Sequence, residues 1–117
     1  MMVNNFPFAE NEFDLVTILA VLHHIENLGK FIKNLCKITK YIYIKDNDMV
    51  TDVSYDLIEI QHELYEGVLY PNDRSPLYRL KKDYMLKKFK KNGFSVIKEV
   101  DYDIFTRPFT MLLKKDI

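Results

Sequence analysis

Two adjacent histidines, His23 and His24, follow the apolar run FDLVTILAVL, and two carboxylates, Asp46 and Asp48, close the short run YIYIKDND. An imidazole in the turn after such a run can act as a general base for a substrate proton, or can simply line a pocket and anchor the turn. The pair could also be read as metal ligands. Adjacent side chains point to different sides, however, and no cysteine or carboxylate completes a familiar ligand spacing, so the expected metal content is none. Asp46 and Asp48 can orient an amine or a cationic base through a charge-assisted hydrogen bond, or can cap the helix that follows. His62 and Tyr65 lie on the flank of that helix, where such residues reach a substrate rim or pack half-buried. The one basic cluster is Arg79, Lys81, Lys82, Lys87, Lys88, Lys90 and Lys91, with Tyr78 and Tyr84 nearby. It could track a phosphate backbone, but the lysines spread around a helix, which favours solvated surface.

These side chains need a scaffold. A chain of 117 residues, 48% hydrophobic and 14% aromatic, fits one domain with a real core and is not a disordered tail. Seventeen basic residues balance seventeen acidic ones, so no global field recruits nucleic acid or an anionic membrane. Cys36 is the single cysteine and sits on an amphipathic pattern, which reads as a buried thiol in a reducing compartment. The start lacks the basic and apolar segments of a signal peptide, and no stretch approaches the ~20 apolar residues of a membrane span. A soluble, cytoplasmic protein with no membrane partner is expected.

Residues 13–22 form an almost unbroken apolar run, expected as a central parallel strand buried on both faces. Over 28–39, Leu28, Phe31, Ile32, Leu35 and Ile38 recur at helical spacing. A β-rich run at 41–46 follows, and strand, helix, strand implies a parallel pair. A second helix over 52–68 places Asp52, Asp56, Glu59, Glu63 and Glu66 on one solvated arc, with Leu57, Gln61, Leu64 and Val68 opposite. After a YPNDRSP loop, a helix over 80–92 turns Tyr84, Met85 and Phe89 inward and stops at Gly93. Two closing strands, FSVIKEVDYD and RPFTMLLKK, are expected to pair antiparallel, with Pro108 at a strand start. The order is β-α-β-α-α-β-β.

Phe6, Pro7, Phe8, Phe13, Asp14, Val16, Leu22, His23, His24 and Ile25 match the pattern LPF-x-D-x-S-FD-x-V…LHH-[IVL] in order and spacing. With KNGFSVIKE and RPFTMLLKK behind them, they resemble the second half of a class I S-adenosylmethionine-dependent methyltransferase of the type 11 kind. The resemblance spans nearly the whole chain. It implies an α/β fold with a partial Rossmann-like sheet, namely parallel strands 4 and 5 plus an antiparallel 6/7 pair, with flanking helices. Within the family, YIYIKDND…YDLIEIQHELYEGV is most similar to a branch carried by large DNA viruses, whose EHD-like triplet reads Asp46, Asn47, Asp48 here. That branch would act in the host cytoplasm.

The resemblance also implies a site. The cofactor would be S-adenosylmethionine, with the backbone at Leu19 and Ala20 beside its methionine portion. His24 and His23 would stand at the methyl-transfer position as catalytic candidates, and Asp46, Asp48, His62 and Tyr65 on the substrate side. An N or O nucleophile would attack the sulfonium methyl in line. Such enzymes hold the cofactor with a glycine-rich turn after their first strand and an acidic residue after the second. Neither occurs here, and Met1, Met2 and Val3 stand where the family often has GDA. Residues 1–117 are therefore expected to be a single incomplete methyltransferase domain lacking its N-terminal cofactor-binding half, with little activity alone. The run 13–22 would be left with a naked edge, to be covered by a copy of the chain in a homo-oligomer or by a partner. The alternative is a degenerate methyltransferase-like binding or scaffolding module, such as an accessory subunit of an RNA-modifying enzyme. RNA and small-molecule acceptors both stay open.

Overall fold

The apolar run becomes β1 (Phe13–Leu19), and it stops sooner than hydrophobicity alone predicts. Ala20 has φ 57°, a left-handed conformation that costs an L side chain roughly 1–2 kcal/mol, and the strand direction breaks there. A short 3-10 helix, Leu22–His24, follows. The structure, a computed structural model, describes residues 6–69 and 76–116. The expected loop at 70–75, the Met1 to Val3 positions and the side chains of Glu66 and Val68 lie outside what it describes.

Helix α1 (Leu28–Ile38) begins at Asn27, whose side-chain oxygen accepts the Lys30 N–H at 3.2 Å. It buries Phe31, Ile32, Leu35, Cys36 and Ile38 and passes without a loop into β2 (Thr39–Asn47). Helices α2 (Asp52–Leu69) and α3 (Lys82–Lys91) come next, then β3 (Phe94–Asp101) and β4 (Pro108–Lys115). Gly93, at φ 83°, supplies the left-handed stop after α3.

The four strands form one sheet in the order β1-β2-β4-β3. β1 runs parallel to β2, as a helical crossover requires, while β4 is antiparallel to both β2 and β3. Ile42 and Ile44 of β2 face the core opposite Leu113 and Met111 of β4, and α1 and α3 close that core with Ile32, Leu35, Met85 and Phe89. Lys82, at the start of α3, ties it to β3 through Glu99 at 3.0 Å and Asp101 at 2.8 Å. Burial works against its charge, but those carboxylates outweigh it and hold the ammonium above its ordinary pKa.

Three expectations need correction. β1 is an edge strand among the described residues, and Leu15 and Leu19 are 50% and 53% exposed, so the run is not buried on both faces. In α2 the buried face is Ser54 and Ile58, whereas Leu64 is 62% exposed: the small serine lets the helix approach on a face rotated from the apolar stripe. Tyr84 is 49% exposed and does not turn inward, while Met85 and Phe89 are buried as expected.

Candidate functional site

Asp46 lies on the same face of β2 as Ile42 and Ile44, because side chains alternate along a strand. That alternation carries a carboxylate inward, to 2% exposure. It is fully engaged there. Oδ2 accepts the Leu22 N–H at 3.1 Å; Oδ1 accepts the Asn47 N–H at 2.8 Å and the His23 Nδ1–H at 2.6 Å. The end of β2 thereby fixes the 3-10 helix and the ring of buried His23.

His24 is held from the other side, its Nδ1 donating to the Pro76 carbonyl at 2.8 Å. The Tyr78 N–H donates to the His23 carbonyl at 2.7 Å, so the segment ahead of α3 is laced to this turn. His62, four residues beyond Ile58 on α2, completes a triangle of rings. Centroids are 4.3 Å apart for His23 and His24, 5.0 Å for His23 and His62, and 4.9 Å for His24 and His62. A cavity of about 310 Å³ adjoins them, lined also by Ala20, Asn47, Ile58, Gln61 and Tyr65.

Six residues singled out from sequence thus converge: Ala20, His23, His24, His62 and Tyr65 on the cavity, with Asp46 behind it. Leu19 precedes them at the carboxyl end of β1. Asp48 stands apart, its Oδ1 accepting the Lys82 N–H at 3.1 Å at the start of α3. Neither carboxylate caps α2. Thr51 does so, its Oγ1 accepting the Ser54 N–H at 3.1 Å. The argument that adjacent histidines diverge does not hold here, since the tight turn and two separate anchors bring the rings together. Asn47 and Gln61 also line the cavity, and their neighbours in sequence, Asp46 and His62, were the signal that could have found them.

A larger cavity of about 710 Å³ opens on the Tyr78 to Lys81 side, with Leu22, Ile25 and Tyr84 in its wall. Of its two cations, Arg79 and Lys81, the first is spent on structure, donating to the Met49 and Val50 carbonyls at 2.7 and 3.1 Å and pairing with Asp52 at 3.1 Å. The histidine cavity, at the carboxyl ends of the parallel strands, is the better candidate, since open α/β sheets bind ligands there.

The family model described as "Methyltransferase domain" matches residues 1–41. No curated protein sequence matches the chain. Among solved structures, a SAM-dependent methyltransferase from Methanosarcina mazei superposes with TM-score 0.71 at 10% identity, over 100% of this chain and 66% of that one. The magnesium protoporphyrin IX methyltransferase of Synechocystis, with bound SAH, gives TM-score 0.64 at 17% identity, over 99% of this chain and 49% of that one. A third, the complex between a Haloferax volcanii methyltransferase activator and a methyltransferase, gives 0.67 at 11% identity, over 98% and 59%. The α/β sheet with its parallel pair and antiparallel strands is therefore that of part of a methyltransferase Rossmann-like fold, and the chain spans between 49% and 66% of these three neighbours. No described helix is long and apolar enough to cross a membrane.

Proposed function

We propose that this chain is the acceptor-side part of an S-adenosylmethionine-dependent methyltransferase domain. The observation that carries the reading is a coincidence. The residues matched by the family model include β1, the 3-10 helix and the histidine pair, and these stand where parallel strands end over a polar cavity. On this reading an N or O acceptor enters between the 3-10 helix and α2, against His62 and Tyr65. His24 is the better proton acceptor of the pair, because His23 is buried against Asp46. Asp46 and Asp48 hold the walls, one through His23 and the other through α3.

The residues present fit the cofactor only in part. Ala20 lines the cavity with exposed Leu19 before it, but the Ala20 N–H already donates to the Lys45 carbonyl at 2.7 Å, and none of Gly29, Gly67 and Gly93 belongs to a glycine-rich turn after a strand. The rest of the cofactor site then comes from a component that docks along β1, whether a cofactor-binding half or a second copy. A large-DNA-virus origin and a host-cytoplasmic location belong to the same proposal, resting on the Asp46, Asn47, Asp48 triplet and the histidine on α2.

A second reading, a binding module without catalysis, is favoured by the unpaired edge itself. Calorimetric titration of S-adenosylhomocysteine into the purified chain, with solution mass measured on the same sample, separates the two. Micromolar binding by an assembled form supports the enzyme; a stable oligomer that gives no heat supports the module. Steeply salt-dependent RNA binding would instead single out exposed Lys87, Lys90 and Lys91 of α3.

A further inference from the structure

We propose that His23, His24 and His62 form a binding site for a divalent transition metal of the zinc class, with an open coordination position facing the 310 Å³ cavity. One ring nitrogen from each histidine lies within 4.8 Å of one from each of the others. A tetrahedral ion with Zn–N bonds of 2.0–2.1 Å needs nitrogens about 3.3 Å apart, so the ion would draw the three rings together by at most about 1.5 Å. Three imidazoles plus one free position is the donor set of a reactive site, since a structural one closes all four positions with protein ligands.

The hydrogen bonds decide which nitrogens are available. A carbonyl oxygen can only accept, so His24 Nδ1, 2.8 Å from the Pro76 carbonyl, carries the proton and the neutral ring presents a bare Nε2. The Asp46 carboxylate makes the same demand on His23 Nδ1 at 2.6 Å. A carboxylate or a backbone carbonyl behind each imidazole is the arrangement that orients metal-binding histidines and raises their basicity. His23 is buried, whereas His24 and His62 are partly exposed, so an ion has a route in from the cavity side. The free position is open to water or to an acceptor oxygen or nitrogen. This inference stands on its own geometry; its failure would leave the methyltransferase reading untouched, whereas an ion held on His24 Nε2 would take that ring's place as proton acceptor.

The test uses the full chain, free of any affinity tag and treated with chelator, titrated with CoCl2 and with ZnCl2. The expected result is one Co2+ per chain with the intense visible absorption of a low-coordinate site, displaced by Zn2+. In His62→Gln and His24→Gln the metal affinity falls at least tenfold, and in Asp46→Asn it falls about 10- to 100-fold. Should a variant fail to fold, nitrogen-15 spectra of the imidazoles in the wild-type chain decide, because all three rings must shift together on adding Zn2+. Absence of binding at micromolar metal, binding indifferent to both glutamine variants, or shifts confined to other groups would overturn the site.

Discussion

Asp46 joins the end of β2 to the turn after β1, since its carboxylate holds both the Leu22 N–H and the His23 ring. Its position in the alternation after Ile42 and Ile44 pointed inward all along, and inward is where a carboxylate requires donors. His23 is distant in sequence, so no local spacing could reveal the link; it depends on β1 and β2 ending side by side. His62 joins by the same tertiary convergence. Cys36 was legible, since an amphipathic helix shows which face is buried. Burial pushes its thiol up to about 12 from 9.0, against the opposing pull of the Lys115 ammonium. The folded pKa is raised, so this contribution to stability is whole below the unfolded value and lost as pH climbs from about 9 toward about 12, where only the unfolded thiol ionises. Unfolding free energies of wild type and Cys36→Ala, compared at about pH 8 and about pH 10, should show the wild type losing stability relative to the variant as pH rises. A pH-independent difference would mean the thiol ionises equally well in both states.

At the scale of elements, the types and order were readable, while ends and faces were not. β1 yields to the left-handed Ala20, and alanine gives no sequence warning of that conformation as a glycine would. In α2 Ser54 and Ile58 are buried while Val53, Ile60 and Leu64 stay exposed, so its apolar residues are not gathered on one buried face. The helix start was sought at the aspartates because they precede it, yet Thr51 supplies the cap. Thr51→Ala should therefore destabilise the chain by about 1 kcal/mol in urea unfolding, with unchanged slope. A loss near zero would indicate that α2 frays there without consequence.

For the whole molecule, the parallel pair and the antiparallel closing pair were readable from the order of elements, a helix between the first two strands and only a short link between the last two. What that order could not convey is the packing of the outer surfaces, which depends on what each one meets. Leu15 of β1 and Phe8 beside it are exposed around an apolar cavity of about 540 Å³, and Leu19 is exposed at the end of the strand. The double variant Leu15→Lys, Leu19→Lys should move the chain toward monomer in light scattering if this edge joins copies; an unchanged mass would exclude self-association through it. The strand order has a further consequence, for synthesis. β4 follows the other three described strands in the chain, yet it lies between β2 and β3 and hydrogen-bonds to both. While the ribosome is still adding residues 108–115, β2 has β1 alone, β3 has no strand beside it, and Phe109, Met111 and Leu113 are missing from the core. The nascent chain must wait with its centre open, exposed to chaperones and proteases, and the sheet closes in a single late step.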